Sequence, residues 1–269
     1  MRTNAAAMAS TGALHRSQKS LAKSLNRLAE GRRVVGAADD AAGLGVSVNL
    51  DTQSSSLRVA TRNANDGISL VQVAESATET TTDLLQRMRE LAVQSASETL
   101  DDDERAYLET EYTEYVDQIR DLGRETEFNG INLTNALTPT IDVQVGSGRG
   151  TDNRITLNMP NLRAVWNAVR TESLATVTGA QDAIDAVDTA IDLTSEARSV
   201  LGAGHNRLLH ALASAETSIT ALSSASSQIM DLDFALETST LTRNQVLQQA
   251  AVASSVQATD ISSSVLSLL

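Results

Sequence analysis

A chain of 269 residues with two Phe, three Tyr and one Trp has little aromatic area from which to build a wide globular core. Its abundant Ala, Ser, Thr, Leu and Val point instead to slender helices packed in a bundle. The formal net charge of −13 works against nucleic acid as a general partner, the absence of cysteine removes disulfides and thiolate metal sites, and no run of about 18 apolar residues is present to insert in a membrane.

Residues 1–13 carry Ala5, Ala6, Ala7, Met8 and Ala9 where a self-sufficient helix would place larger apolar residues. Such a segment holds a helix only when packed, because isolated helices are marginal. It also lacks the leucine-rich centre of a secretory signal peptide, so export would need another route. Leu14, Leu21 and Leu28 then step by seven with Leu25 between them, which is a heptad seam. Gly31 to Gly36 interrupts this helix, and Asp39 or Asp40 supplies the N-cap of the next. The second helix is expected from there to about Ser97, with Ile68, Val71, Leu84, Met88 and Leu91 forming an inward stripe. Gly43, Gly45 and Gly67 weaken it, and Asn65-Asp66-Gly67 is where a kink would form.

Residues 98–127 hold twelve acids against Arg105, Arg120 and Arg124. Leu108, Tyr112, Tyr115, Ile119 and Leu122 still recur at helical spacing, which predicts an antiparallel helix with a solvated acidic face. The turn at Asn129-Gly130 ends it, and Asn132-Leu133-Thr134 is a formal glycosylation sequon. Both prolines, Pro139 and Pro160, bound the next segment. Within it Ile141, Val143 and Val145 alternate, as do Ile155, Leu157 and Met159, on either side of Gly146-Ser147-Gly148-Arg149-Gly150. Alternation flanking a Gly-rich turn predicts a β-hairpin at about 139–160. A strand after the turn, rather than a helix, argues against a phosphate loop.

From about Ala175 the chain is helical again, with Ile184, Val187 and Ile191 leading into Leu201, Leu208, Ala215, Leu222 and Ile229. Leu212, Ile219 and Ser226 interleave, so this is a second narrow seam that needs a partner helix. The expected partner is Leu14 to Leu28. After Asp231-Leu232-Asp233 the heptad slips, with Leu232, Leu236 and Leu241 taking up a new register. Leu247 and the apolar Val265, Leu266, Leu268 and Leu269 complete a tail that must be covered.

The expected fold is mainly α, an elongated antiparallel helical bundle or coiled coil of the N- and C-terminal halves with a small β-hairpin in the middle. Residues 1–38 and 230–269 are expected to form a discontinuous terminal coiled coil, and 39–229 a helical domain that carries the hairpin. The first 35 residues have seven basic groups and one acid, opposite in sign to 98–127, and complementary patches of this kind guide subunit stacking. Non-closing contacts between copies give a helical filament. No catalytic or metal constellation can be placed on His15, His205 and His210, and His205 falls on the seam, where a polar residue fixes register. Neither an enzyme nor a cofactor is expected.

Several stretches, taken together, closely resemble bacterial flagellin: SQKSLAKSLNRLAEG (Ser17 to Gly31), Asp39-Asp40-Ala41-Ala42-Gly43, RNANDGIS (Arg62 to Ser69), LQRMRELAVQSAS (Leu85 to Ser97), EFNGINL (Glu127 to Leu133), and Leu247 to Ala250 followed by Val265 to Leu269. The similarity spans residues 3–138 and 175–269 in the family's order. It implies a structural subunit that self-assembles into the extracellular filament of the bacterial flagellum and serves motility. It also implies export by the flagellar type III apparatus, and an export chaperone, a filament cap and hook-associated proteins as partners. Arg87, Leu91 and Glu111 match the family's motif for subunit packing and for sensing by the flagellin-recognising Toll-like receptor. The short middle of the chain implies a form without large outer domains. The alternatives are the hook–filament junction protein of the same family and, outside it, a coiled-coil adaptor for a foreign helix.

Overall fold

The computed structural model describes residues 5–135 and 140–267. In chain order these form α1 (Ala5–Glu30), α2 (Ala41–Ser95), α3 (Asp102–Glu125), β1 (Glu127–Phe128), β2 (Ile131–Asn132), β3 (Thr140–Gln144), β4 (Arg154–Asn158), α4 (Leu162–Val169), α5 (Val177–Met230) and α6 (Phe234–Ser267). The protein is mainly helical, its terminal helices pack on each other, and small antiparallel strand pairs lie in the middle. The chain gathers into two compact units, Met1–Ser54 with Thr220–Leu269, and Ser55–Ile219. Helices α2 and α5 supply residues to both.

The middle unit has a conventional apolar core. Leu85, Met88 and Leu91 of α2 are buried with Tyr112, Val116 and Ile119 of α3, Leu162, Val165 and Val169 of α4, and Ala180, Ala183 and Val187 of α5. The Tyr112 hydroxyl donates to the Val169 carbonyl at 3.4 Å, and burial, with Glu172 and Glu109 nearby, pushes its pKa above the ordinary phenol range. The turn between α2 and α3 is held by the buried Arg105, whose guanidinium donates to the carbonyls of Ser95, Ser97 and Leu100 at 2.7–2.8 Å. Helix α3 begins on a capping box, with Asp101 Oδ1 accepting from the Glu104 amide and Glu104 Oε2 accepting from the Asp101 amide. Arg105 is therefore a charged residue of the acidic helix that works inside the fold, as is Glu109, whose carboxylate accepts from the Leu174 amide.

A second core lies under the hairpin. Strands β3 and β4 pair antiparallel with Ile141 opposite Leu157 and Val143 opposite Ile155. Val143, Ile155 and Leu157 are buried against Leu70, Val71 and Ala74 of α2 and Leu201 and Leu208 of α5. The loop closes on itself, since Gln144 Nε2 donates to the carbonyls of Gly146 and Gly148 and Asn153 Oδ1 accepts from the Gly148 amide. Helix α2 runs without a break through Asn65-Asp66-Gly67. Gly67 instead allows close approach: a Cβ there would stand 3.1 Å from Val143 Cγ2 and 3.3 Å from Leu208 Cδ1. Gly204 does the same on α5, where a Cβ would meet Leu157 Cδ2 at 2.9 Å.

Strands β1 and β2 form a second, two-residue-turn hairpin. Asn129 (φ 51°) and Gly130 (φ 77°) both occupy the left-handed region, as the tight turns that match strand twist require. The sequon at Asn132 is spent on this corner. Its amide donates to the carbonyls of Gly123 and Arg124, its Oδ1 accepts from the amides of Thr134 and Asn135, and Leu133 and Thr134 are buried. That leaves no free amide for a glycan.

In the terminal unit α1 packs against α6. The link between α5 and α6 is pinned to the end of α1, with the Arg33 amide donating to the Met230 carbonyl at 2.7 Å and the Leu232 amide to the Gly31 carbonyl at 3.2 Å. Asp233 caps α6, its Oδ1 accepting from the amides of Ala235 and Leu236. The slip in the heptad after Asp231 is thus a helix end followed by a new helix.

Candidate assembly surface

The long C-terminal seam is real, but its partner is α2. Leu201, Leu208 and Ala215 are buried, and Leu212, Ile219, Leu222 and Ile229 are half-buried. In the middle unit Leu201 and Leu208 rest on Leu70, Val71 and the hairpin. In the terminal unit the Ser226 hydroxyl donates to Asp51 Oδ1 at 2.9 Å, and a Cβ on Gly43 would come within 3.3 Å of Ile229 Cγ2. The expectation that Leu14 to Leu28 would partner this seam is corrected by the contact of α1 with α6. The two leucine repeats look alike in sequence, yet they carry different interleaved residues, and those decide the partner.

Among the α1 residues whose burial is described, Ser10 and Ser24 are buried, seven residues either side of the half-buried Ser17, and Leu14, Leu21 and Leu28 are half-buried on the same face. Facing them, α6 turns inward Glu237, Leu241, Asn244, Gln248, Ala251 and Ser255, again a heptad. Small hydroxyl residues let two helices approach closely, and the Ser17 hydroxyl donates across to the Asn244 carbonyl at 3.0 Å. The buried Glu237 lies 4.0 Å from Arg27, which is the same distance from Asp39. Asp39 is also bonded to Lys23 at 2.6 Å, and that hydrogen bond holds its carboxyl below the usual range. The Leu14, Leu21 and Leu28 repeat marks this seam in the sequence, but the Ser, Asn and Gln positions that share it give no hydropathy signal and so do not disclose which helix it meets.

Several large apolar residues of this unit face outward. Leu25 is 50% exposed and Leu247 is 52% exposed, so about half of each side chain is left uncovered by its own chain. Leu236, Val246, Val252 and Val256 are exposed as well, which leaves α6 with apolar residues on its outward sides. Val265 and Leu266 lie on α6, and their side chains fall outside the described residues, as do Leu268 and Leu269 altogether.

Arg87 and Glu111 meet on the surface of the middle unit. The Arg87 guanidinium donates to Glu90 at 2.7 Å and to Glu111 at 3.4 Å, while the Tyr115 hydroxyl donates to Glu111 at 2.9 Å. These acceptors, Glu90 foremost, raise the Arg87 pKa further above its already high value. Leu91 is only 1% exposed. The motif therefore divides: Arg87 and Glu111 are surface groups, and Leu91 belongs to the core beneath them. Among the described residues no group of three or more His, Cys, Asp or Glu could hold a metal ion, and no helix is long and apolar enough to cross a membrane.

Comparison with known proteins agrees with this architecture. Residues 1–137 match the bacterial flagellin N-terminal helical region and residues 184–269 the bacterial flagellin C-terminal helical region. The chain is 39% identical over 247 residues to a flagellin of Halalkalibacterium halodurans, covering 92% of this chain and 91% of that one. It is 34% identical over 282 residues to flagellin FlaB2 of Treponema pallidum, covering 99% and 98%. The crystal structure of Bacillus cereus flagellin superposes with a TM-score of 0.52 at 28% identity, over 57% of this chain and 88% of that one. A putative flagellar hook-associated protein of Vibrio parahaemolyticus shares the fold, with a TM-score of 0.59 at 16% identity over 72% and 100%. With both terminal helical regions matched and near full-length identity to filament proteins, this chain belongs to the bacterial flagellin family, as a structural subunit of the flagellar filament.

Proposed function

We propose that the subunit enters the filament by burying the exposed apolar sides of α1 and α6 against neighbouring copies. The observation that carries this is the inversion of the terminal unit, which spends Ser, Asn, Gln and Glu on its internal seam and leaves Leu25, Leu236, Val246 and Leu247 in solvent. A helix with apolar residues on every side is one that is buried on every side. In this reading 1–38 and 230–269 form the inner tube, 39–229 with the hairpin forms the layer around it, and the contacts do not close, so growth continues. Self-burial of a surface this apolar before export would be harmful, which supports a chaperone on the C-terminal segment, passage through the flagellar type III apparatus, and a cap that directs insertion at the tip. Hook-associated proteins would join the finished filament to its base. The receptor contact, if the chain makes one, would use Arg87 and Glu111, with Leu91 holding their helix in place from below.

The near full-length identity to flagellins supports the filament subunit over the hook–filament junction protein. Seeded polymerisation followed by sedimentation tests the assembly surface. Leu247→Asp and Val256→Asp are expected to leave the helicity of the monomer unchanged and to abolish filament growth, because each places a charge where an apolar neighbour must sit. Normal filaments from both variants would overturn the proposal.

A further inference from the structure

A cavity at the C-terminal end of α3 borders the core of the middle unit. It has a volume of about 240 Å³ and is lined chiefly by Ile119, Arg120 and Arg124 of α3 and Leu162, Arg163 and Trp166 of α4. Ile119, Leu162 and the indole give it an apolar wall, and its charged groups are all donors. Arg120 is already bonded to Asp117 at 2.6 Å and to Asp121 at 3.1 Å, whereas Arg124 and Arg163 form no ion pair among the described residues. The Trp166 ring is half-buried, with the Arg170 guanidinium 4.8 Å from its centroid. A basic residue in the last turn of α3 is favoured by the helix dipole, which accounts for Arg124 but not for Arg163. What the cavity lacks is a flat apolar body that carries oxygen acceptors.

The other end of α3 presents such a body. Tyr107 is 76% exposed, more than any other large apolar residue described. One turn before it on the same face is Asp103, in the acidic first turn of the helix. Tyr107 and the cavity are separated along α3 by roughly 20 Å at the α-helical rise, so they cannot meet within one molecule. Between molecules, a contact from one end of a helix to the other end of its copy is heterologous and propagates without closing.

We propose that the α3–α4 cavity is the socket for Tyr107 and Asp103 of a second copy of this chain. The phenol packs against the exposed part of the Trp166 ring, while the Asp103 carboxylate pairs with Arg124 and Arg163. This contact rests on the filament reading above and names one of the interfaces that reading requires.

The test uses the full chain and its single tryptophan. Seeded polymerisation is followed by sedimentation and by acrylamide quenching of Trp166. Quenching is expected to fall several-fold when the wild-type chain polymerises. Arg163→Glu and Asp103→Arg should each raise the critical concentration about tenfold, and the double variant should return it to within about threefold of the wild type, as a directly coupled pair requires. Both positions are exposed, and circular dichroism checks that each variant keeps its helicity; if one does not, Arg163→Gln or Asp103→Asn takes its place. Any of three results overturns the socket: unchanged quenching in wild-type filaments, single variants that assemble like the wild type, or a double variant no better than the singles. Protection of Trp166 that survives Tyr107→Ser would give the cavity to another occupant and overturn it too. Failure of the wild-type chain to polymerise on seeds is a separate outcome, and overturns the filament reading first.

Discussion

In the middle unit Leu85, Met88, Leu91, Tyr112 and Ile119 are withdrawn from solvent together, whereas α1 and α6 meet through Ser10, Ser17, Ser24, Asn244 and Gln248. The same chain thus contains a unit that satisfies its own hydrophobic demand and one that does not. A fully buried Leu contributes roughly 1.5–3 kcal/mol, and a serine in its place contributes nothing comparable. The terminal unit therefore gains little from its internal contacts, and its remaining apolar surface is available to neighbours. Coupling order to association in this way is the thermodynamic pattern of segments that complete their folding on binding.

The sharpest way to break the contrast is to truncate one leucine in each unit. Leu91→Ala is expected to cost about 2–5 kcal/mol, the range for emptying a packed site, and thermal unfolding followed by circular dichroism would show the loss. Leu21→Ala, half-buried among small residues, should cost about 1 kcal/mol or less. Equal losses from the two would erase the distinction. A finer test uses glycines. At Gly67, where a Cβ meets Val143 and Leu208, alanine gains about 1 kcal/mol in helix propensity but overpacks a filled site at a cost of about 1–3 kcal/mol, so Gly67→Ala should destabilise. A Cβ at Gly45 meets nothing within 4 Å, and Gly45→Ala should stabilise by about 0.5–1 kcal/mol. Chemical denaturation would give both signs.

The smallest effect concerns pH. Arg89 bonds Asp188 at 2.7 Å between α2 and α5 of the middle unit, and this hydrogen bond lowers the Asp188 pKa. A carboxylate depressed on folding adds stability above its unfolded pKa and loses it as pH falls through the folded value. The contribution should fade below about pH 4, and Asp188→Asn should flatten that part of the melting temperature profile. Both side chains are half exposed, so the change will be small.

Much of this organisation is legible in the sequence, because helical and strand periods are written in apolar residues. The α2 stripe, the β3–β4 hairpin and the α5 seam all follow from Leu, Ile and Val at regular spacing. What escaped has a common cause. The pairing of α1 with α6 combines half-buried Leu14, Leu21, Leu28 and Leu241 with small and polar residues at heptad spacing, and apolar periodicity sees the leucines without saying which helix they meet. The short helix α4, Leu162–Val169, reads as a connector because it is barely two turns long. Leu25 and Leu247 satisfy a helical repeat, yet about half of each side chain stays in solvent. Arg105 sits in a run of acids and looks like a surface charge, yet three carbonyls at a tight corner draw it inside.

The buried threonines of the middle unit carry one more consequence. Thr78 and Thr81 on α2 and Thr194 on α5 are fully withdrawn from solvent, and each hydroxyl returns to a carbonyl of its own helix, four residues back, at 2.8–3.1 Å. Donors satisfied in this way make no claim on the neighbouring helix. If α2 were to shift lengthwise against α5 by a fraction of a turn, no hydrogen bond from these groups would break, and the cost at these positions would be confined to repacking methyl groups. A surface of this kind resists separation while remaining indifferent to small changes of stagger, a mechanical property that a purely leucine seam, with its interlocking side chains, does not have.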